Sequence, residues 1–461
     1  MRVIKKVKGN PEEGINIFDS PPGTACPAVE TIKDADVTIL VTDPTPFGMY
    51  DFKLAVDMCA LLGVTPLVIA NRLYPGATEP EEYCLKNNLK IIGRIQDEKE
   101  IAVRYSKGKL IAAGSEKYNN IFKEIAQNIL DEAPKIVRNP PRSFKAPELK
   151  NEKKGLLPDS VNSSCSPRQI VVISGKGGTG KTSIAAALSF YSRGEAAIAD
   201  CDVDAADMHL ILKPDIQESG HFIGGEKMEI NTDRCIACGR CEDVCKFDAV
   251  SHKTESEYKI DELACEGCGA CVEVCPVDAI RSKEVISGSW FVSATRFGPM
   301  AHAKLSPAGE NSGKLVTFIK KKALSLAEQV NAGRIISDGS PGIGCPVIAS
   351  LTGVDYVLIV TEPTVSGIHD LERVLDLVKH FSLKAGVVVN KSDLNPQQTS
   401  GIFKLTEKYG QDILGEIPYD SNITEAQIKG LALPEYAPDS QAAKKISELW
   451  RKINQNEIAP A

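Results

Sequence analysis

Eight cysteines that fall in two runs of four carry the clearest chemical signature in this chain. Each run has the spacing C-x2-C-x2-C-x3-C, which is the spacing that binds bacterial-type [4Fe–4S] clusters. In proteins with two such clusters, the fourth cysteine of each run ligates the cluster of the other run. The spacing therefore predicts two [4Fe–4S] clusters, one held by Cys235, Cys238, Cys241 and Cys275 and the other by Cys265, Cys268, Cys271 and Cys245.

Zinc is the main alternative metal, because structural zinc sites also use pairs of cysteines two residues apart. The interleaved spacing and a second small repeat, Asp248-Ala-Val and Asp278-Ala-Ile, favour iron–sulfur clusters. Pro276 follows the fourth cysteine of the second run, whereas Lys246 stands at that position in the first run. We expect this departure to change the local turn and the reduction potential but not the set of ligands.

A glycine-rich loop precedes the cysteine runs. It follows an apolar strand pattern at 169–174 and opens a helical pattern, which is the context of a phosphate-binding loop. In such loops, backbone N–H groups and a helix N-terminus bind the phosphates. We expect Lys181 to reach the β/γ-phosphates and Thr182 to bind Mg²⁺, with the strand-ending Asp338 holding the magnesium through water. The predicted nucleotide-binding loop comprises Gly175, Lys176, Gly177, Gly178, Thr179, Gly180, Lys181, Thr182 and Ser183.

The chain repeats itself at an offset of 319 residues. Asp19-Ser-Pro-Pro-Gly-Thr-Ala-Cys-Pro reappears as Asp338-Gly-Ser-Pro-Gly-Ile-Gly-Cys-Pro, and the match continues without a gap to Asn71 and Asn390. Short aliphatic runs alternate with helical patterns, as at 48–62 and 366–381. This alternation is typical of βαβ units and of a parallel sheet that is buried on both faces.

The two copies differ in completeness. The first lacks the phosphate loop, the strand before it and the cysteine runs. It must therefore be completed by another surface, or the sequence is a fragment, and the position of Met1 in mid-domain favours a fragment.

We predict an α/β fold: a P-loop NTPase with a parallel sheet, an inserted ferredoxin-like α+β domain and a duplicated partial α/β domain at the N-terminus. The predicted boundaries are 1–133 for the partial copy, 134–167 for a linker with six prolines, 168–461 for the complete copy and 226–285 for the insert.

Composition excludes several classes of protein. The net charge of −7 argues against nucleic acid as the main partner, and no apolar run is long enough for a membrane span. Fourteen cysteines without a secretory signal indicate thiolate ligands in the cytoplasm. Outside the two runs and two Cys-Pro pairs, we interpret the cysteines as inert or core thiols; they are Cys59, Cys84, Cys165 and Cys201.

The string that starts at Gly175, GKGGTGKT, resembles the deviant Walker A motif of the MinD/ParA/Mrp and nitrogenase-iron-protein class of P-loop ATPases. The resemblance implies that Lys176 crosses a dimer interface to the partner's nucleotide. The chain would then hydrolyse ATP as a homodimer or paired with a related ATPase. It also implies that Asp202, the second acid of a D-x-D pattern after Asp200, positions the attacking water. Lys176, Lys181 and Asp202 are therefore the candidate catalytic residues.

Two further positions leave alternatives open. Asn390 occupies the place of the base-reading asparagine in this class, but Asn390-Lys-Ser-Asp393 also resembles the N-K-x-D motif of GTPases, so GTP remains an alternative to ATP. Cys26 and Cys345 each lie seven residues after a strand-end acid, where the nitrogenase iron protein has a cysteine that ligates a cluster shared across a dimer. They are candidate interface thiols, or else small buried thiols in a tight Cys-Pro turn.

Three functions fit these features. The first is an ATP-dependent electron carrier with two [4Fe–4S] clusters and Mg²⁺, whose redox partner the sequence does not identify. The second is an iron–sulfur scaffold or carrier of the Mrp type, and the third is a redox-sensing switch like MinD. MinD-like switches bind membranes through a C-terminal amphipathic helix, but the apolar positions of 440–453 are typical of a core-facing helix.

Overall fold

The computed structural model describes residues 4, 7–9, 13–21, 23–24, 26–140, 166–254, 257–262, 264–307, 309 and 311–456. We call residues 26–140 the N-terminal module and residues 166–456 the C-terminal module. The N-terminal module contains α1 Cys26–Ile32, β1 Ile39–Thr42, α2 Pro46–Leu61, β2 Leu67–Leu73, α3 Glu79–Lys86, β3 Lys90–Gln96, α4 Lys99–Ser106 and α5 Glu116–Glu132. Its three strands form a parallel sheet in the order β1, β2, β3.

The C-terminal module is built on a nine-stranded sheet. The strands of this sheet are β4 Arg168–Ser174, β5 Ala196–Asp200, β6 Asp215–Ile230, β9 Ile280–Thr295, β10 Gly298–Leu305, β11 Arg334–Pro341, β12 Tyr356–Thr361, β13 Ala385–Asn390 and β14 Asp412–Ile417, and two further strands, β7 Val250–Thr254 and β8 Glu257–Ile260, pair with each other. Its helices are α6 Lys181–Tyr191, α7 Met208–Leu212, α8 Arg240–Val244, α9 Ala270–Glu273, α10 Ser312–Gln329, α11 Cys345–Leu351, α12 Val365–His380, α13 Pro396–Lys408, α14 Asn422–Lys429, α15 Leu433–Tyr436 and α16 Gln441–Asn456.

The strands of the large sheet lie in the order β14-β13-β12-β4-β11-β5-β10-β9-β6. From β14 to β10 the neighbouring strands are parallel, and β9 and β6 extend the sheet as antiparallel strands. The prediction of an α/β fold with a large, mostly parallel sheet is therefore confirmed.

Strand β4 shows why this sheet forms. Its alternate residues point to opposite faces, and both faces are covered by helices. Ile170 and Val172 pack in one core with residues of α6 and α16, while Val171 and Ile173 pack in the other core with residues of α12. Each such side chain contributes about 1.5–3 kcal/mol when it is fully buried. The β-branched run is thus stable only in a strand with helices on both sides.

The cysteine runs lie beyond a long antiparallel ribbon of β6 and β9. The pairing runs from Asp215 opposite Ala294 to Ile230 opposite Ile280. Beyond that end, α8, β7, β8 and α9 form a small unit in which β7 and β8 pair as an antiparallel hairpin. The ribbon passes without a break through the predicted boundaries at 226 and 285, which are positions within strands.

The C-terminal helix and three cysteines lie where the sequence placed them. The apolar side chains of α16, among them Ile446, Leu449 and Trp450, are buried in the core, which confirms a core-facing helix. Among the residues that the structure describes, no helix has the length and apolar character needed to span a bilayer. The prediction of core thiols is confirmed for Cys59, Cys84 and Cys201, and Cys165 lies outside the described residues.

Part of the predicted linker is attached to the N-terminal module. Arg138 donates hydrogen bonds to the carbonyls of Lys33 and Ala35, and the Asn139 backbone N–H donates to the Gly63 carbonyl at 2.8 Å. Residues 136–140 are therefore held against this module. The rest of the linker up to residue 165 lies outside the described residues.

Candidate functional site

The phosphate loop connects the end of β4 to the start of α6. Gly178 and Gly180 have φ angles of 77° and 93°, a left-handed region that favours glycine. A Cβ atom on Gly180 would lie 2.4 Å from Nδ2 of Asn390, whose amide donates a 2.7 Å hydrogen bond to the Thr179 carbonyl. Asn390, at the end of β13, therefore holds the loop in place with this hydrogen bond. It can come so close because Gly180 has no side chain.

Lys181 is buried between two carboxylates. Its Nζ lies 2.8 Å from Oδ1 of Asp338 and 3.0 Å from Oδ2 of Asp202. Burial by itself would lower the pKa of Lys181, but the two carboxylates more than compensate and raise it above its usual value. The ammonium group is thus charged and paired, and a bound phosphate must replace these carboxylates.

The positions predicted to hold magnesium flank this lysine. Thr182 Oγ1 lies 3.5 Å from Lys181 Nζ, and Asp338 contacts the same ammonium group from within β11, which continues to Pro341 and does not end at Asp338 as the sequence suggested. Asp338 is fully buried, yet its Oδ2 atom makes no hydrogen bond to the described part of the chain. A buried carboxylate oxygen without a donor suits a hydrated Mg²⁺ ion, so the residues present fit this metal.

Further acids surround the predicted water-positioning residue. Burial raises the pKa of Asp202 to about 6. Asp200 accepts from the backbone N–H groups of Asp202 and Met208, and burial together with Asp338 raises its pKa well above the usual value. Burial raises the pKa of Asp204 as well. Asp207 lies in the same cluster and was not singled out by the sequence, because it stands outside the D-x-D pattern.

Lys176 binds residues of its own chain. Its Nζ lies 2.7 Å from Oε1 of Glu362, 2.9 Å from Ser366 Oγ and 3.2 Å from Thr364 Oγ1. The other oxygen of Glu362 lies 3.1 Å from Nζ of Lys391. Burial would raise the pKa of Glu362, but the two lysines lower it below the ordinary value. Glu362 therefore holds a negative charge beside the phosphate loop and neutralises two lysines there.

Asp393, the acid of the second base-reading motif, accepts a 2.6 Å hydrogen bond from the Tyr419 backbone N–H. Its neighbour Lys391 reaches the Gly178 carbonyl at 3.4 Å. The Lys391 contact joins the loop after β13 to the phosphate loop, whereas the Asp393 contact joins it to the residues after β14, and both leave the choice between adenine and guanine open.

The cysteines lie around two separate cavities. Each cavity is lined by three cysteines of one run and the fourth cysteine of the other run: Cys235, Cys238, Cys241 and Cys275 in one, and Cys265, Cys268, Cys271 and Cys245 in the other. Apolar side chains such as Ile230, Met228 and Ile260 complete the walls. The grouping is the same as the one that the spacing assigns to two clusters.

Backbone groups repeat around the two cavities. The Ala249 N–H donates to Cys245 Sγ at 3.4 Å, and the Ala279 N–H donates to Cys275 Sγ at 3.2 Å. Hydrogen bonds to sulfur stabilise thiolates and tune cluster potentials. These donors therefore suit cysteines that act as charged ligands.

The spread of the cysteines bears on the zinc alternative. Within the described ranges, no three or more His, Cys, Asp or Glu side chains converge closely enough to hold one metal ion. Zinc requires its thiolates within about 2.3 Å of a single ion. A [4Fe–4S] cluster takes one thiolate on each iron, so four thiolates around each cavity match the donor set of a cluster, and the zinc alternative stays open.

Cys345 begins α11 and is exposed, so the interpretation as a buried thiol is wrong for this residue. Cys26 occupies the matching position at the start of α1, and its side chain lies outside the described residues.

A family model for the CobQ/CobB/MinD/ParA nucleotide binding domain, CbiA, matches residues 170–433. The chain belongs to this family. An uncharacterised protein of Methanocaldococcus jannaschii is 34% identical over 289 residues, which are 62% of this chain and 96% of that protein. Membership of the CbiA family supports ATP binding and hydrolysis at the phosphate loop.

Two other proteins resemble this CbiA-family chain over a shorter stretch or at lower sequence identity. An iron–sulfur cluster carrier protein of Pyrococcus abyssi is 29% identical over 155 residues, which are 31% of this chain and 52% of that protein. The septum site-determining protein MinD of Pyrococcus horikoshii, solved with Mg-ADP, has 17% sequence identity and a TM-score of 0.40 over 63% of this chain and 98% of its own.

Proposed function

We propose that this chain hydrolyses MgATP and couples the hydrolysis to electron transfer through two [4Fe–4S] clusters. The observation that carries the proposal is the path through the sheet from the phosphate loop to the cysteines. Strand β5, which ends at Asp200, pairs with β10, β10 pairs with β9, and the β6–β9 ribbon leads to the two cavities. A change around the nucleotide thus has a continuous, hydrogen-bonded route to the cluster unit.

At the nucleotide end, Lys181 exchanges its carboxylate partners for phosphate oxygens when ATP binds. Thr182 and Asp338 hold the magnesium ion, which offsets the charge of the phosphates. Asp202 then loses its ion pair with Lys181. The ionised Asp202 carboxylate can then accept a hydrogen bond from the attacking water.

At the other end, the eight cysteines hold two clusters, each of which accepts and releases one electron when bound. The chain contributes the thiolates, the amide donors of Ala249 and Ala279, and apolar walls that keep water from the sulfur atoms. These features set the reduction potential, because cluster potentials depend on hydrogen bonds to sulfur and on exposure.

Metal analysis of the full chain purified without oxygen tests the two halves of this proposal separately. We expect about eight iron atoms per chain, with matching acid-labile sulfide, and hydrolysis of MgATP. Cys245→Ser should lower the iron content and leave MgATP binding unchanged, because Cys245 lies in the cluster unit. Cys84→Ser, a buried thiol of the N-terminal module outside both cavities, is the matched control. Stoichiometric zinc in place of iron would contradict the proposal.

A second function, iron–sulfur cluster transfer, is favoured by one specific observation. Cys345 is exposed at a helix start, and part of the chain resembles an iron–sulfur cluster carrier protein. In this case, iron should pass from the chain to an apo-acceptor, and Cys345→Ser should abolish the transfer. Unchanged transfer in Cys345→Ser, or none in the unmodified chain, would remove this function.

Dimerisation is also part of the proposal. The class to which the phosphate loop belongs uses a lysine such as Lys176 across a dimer interface, so we propose pairing of the chain with itself or with a related ATPase when MgATP is bound. In the present structure the Lys176 ammonium group contacts Glu362, Thr364, Ser366 and Tyr105.

A further inference from the structure

The N-terminal module contacts the C-terminal module beside the phosphate loop. The hydroxyl of Tyr105 lies 3.2 Å from Ser366 Oγ and 3.5 Å from Nζ of Lys176, and this ammonium group is 5.1 Å from the centre of the Tyr105 ring. Next to Tyr105, the buried Asn395 donates to the carbonyl and the hydroxyl of Ser106, both at 3.2 Å. The end of α4 is thus attached to the residues around the phosphate loop.

Asn395 makes this attachment specific. Its side-chain oxygen caps α13 by accepting from the Gln398 N–H at 3.3 Å, while its amide nitrogen binds Ser106. Ser106 is fully buried and Asn395 is nearly so. A buried amide that loses its partners costs about 1–3 kcal/mol, so this pair favours one docked arrangement over others.

A second contact region lies near the acids of the site. The Tyr50 ring packs edge-on against His209 at 4.9 Å between ring centres, and Nζ of Lys304 lies 5.0 Å from the Tyr50 ring centre. The adjacent Asp51 is close enough to Asp202 for the two charges to interact. The N-terminal module therefore reaches both the lysine and the acid sides of the nucleotide site.

Lys176 belongs to the phosphate loop, so its contact with the docked module can affect nucleotide binding. In the docked arrangement, the ammonium group contacts Glu362, Ser366 and Thr364 of its own module, and the ring and hydroxyl of Tyr105 from the other module lie against it. A nucleotide phosphate needs the same positive charge. To reach a phosphate, the ammonium group must leave at least part of this set, because it has only three donors.

We propose that the N-terminal module is a built-in partner for the phosphate-loop face, and that its docking competes with nucleotide phosphate for Lys176. The occupant of this face is then a module of the same chain, in the absence of nucleotide, and not a second chain. The inference rests on the proposed nucleotide function. By linkage, MgATP weakens docking by the same factor by which docking weakens MgATP binding.

The structure offers a place to lock the two modules together. An ideal Cβ on Gly108 would lie 3.8 Å from the Cβ of Val365, which is the usual separation in a disulfide. We would prepare the full chain with Gly108→Cys and Val365→Cys, oxidise it anaerobically in glutathione buffer, and identify the linked peptides by mass spectrometry. MgATP affinity would then be measured by equilibrium dialysis before and after reduction. The two single variants control for strain at Gly108, which has a φ of 64°.

We expect an intrachain disulfide that forms at a rate independent of protein concentration and more slowly with MgATP present. The linked protein should bind MgATP roughly tenfold more weakly than the same protein after reduction. A linked species of twice the chain mass, or no link at all, would overturn docking within one chain. Equal MgATP affinity in linked and reduced protein would overturn the competition. Absence of MgATP binding in the reduced protein and in both single variants would instead contradict the nucleotide function, while the link would still report on docking.

A second variant tests the competition without a disulfide. Tyr105→Ala removes the contact to Lys176 at a half-exposed position, so the fold should persist. We expect tighter MgATP binding and slower disulfide formation in the double-cysteine background. Phe122→Ala, a change at another exposed ring of the same module, should alter neither. Unchanged MgATP affinity in Tyr105→Ala would contradict the role given to this residue.

Discussion

The two modules share local structure at positions 319 residues apart, but the phosphate loop and the two cysteine runs lie in only one of them. Thr45 caps α2 by accepting from the Gly48 N–H at 3.1 Å, and Thr364 caps α12 by accepting from the Gly367 N–H at 2.9 Å. Ahead of these caps, Asp43 lies 3.6 Å from Arg72 and Glu362 lies 3.1 Å from Lys391. The same acid–base pair thus recurs at the ends of matched strands.

The surroundings of the matched strands differ. Val41 in β1 is 61% exposed, whereas Val360 in β12 is fully buried. Strand β1 is at the edge of its sheet, and β12 is covered by β4, the strand that leads into the phosphate loop. The strand that pairs with β12 thus leads into the phosphate loop, whereas β1 has no such neighbour in its sheet, and the N-terminal module keeps the helix cap and its own core without a phosphate loop.

The largest expected effect is the loss of turnover when the phosphate-loop lysine is removed. Lys181→Ala should lower the rate of MgATP hydrolysis at least about 100-fold, because no other group replaces a charge aimed at the phosphates. Arg72→Ala in the N-terminal module should change the rate less than about twofold, since it removes only the surface ion pairs with Asp43 and Asp97. Steady-state phosphate release measures both, and a similar loss in the two variants would break the assignment of catalysis to one module.

A smaller effect is expected in the matched strands. Val360→Ala should lower the free energy of unfolding by about 2 kcal/mol, because it opens a cavity in a closed core. Val41→Ala should change it by less than about 0.5 kcal/mol, since the side chain is mostly in water. Urea unfolding with a common m-value is the measurement. Equal costs would mean that β1 is covered by another surface in solution.

The smallest difference is expected at the caps, where the modules agree. Thr45→Ala and Thr364→Ala should each cost about 1 kcal/mol of stability, the usual value for a helix N-cap. Urea unfolding compares the two, with serine at each position as a control that restores the hydroxyl. A loss of stability in only one of the two variants would show that the two caps, although alike in structure, do not stabilise the protein equally.

Local patterns predicted much of this structure. The helices expected at 48–62 and 366–381 are observed at Pro46–Leu61 and Val365–His380, and each follows a threonine that caps its first turn. The strand–loop–helix order around Gly175 likewise defines the phosphate loop, since every step lies within a few consecutive residues.

Contacts between residues that are far apart in the chain could not be predicted from the sequence. The spacing of Lys176 within its motif gives no hint of Glu362 or Tyr105, which are 186 and 71 positions away in the chain. The repeat does draw attention to Glu362, because it matches Asp43 at the end of the corresponding strand. Only the folded structure shows that Lys176 lies beside Glu362. The ribbon of β6 and β9 was missed for a related reason: both strands mix polar and apolar residues, with much of their length in contact with water.

The central claim is that the nucleotide site and the clusters communicate, and an anaerobic redox titration followed by EPR tests it most directly. The titration would be run on the full chain with MgADP and again with MgATP. We predict two low-potential [4Fe–4S] signals whose midpoints or line shapes shift when MgATP replaces MgADP. Two signals that are identical in both nucleotides would contradict the coupling through the sheet and the ribbon.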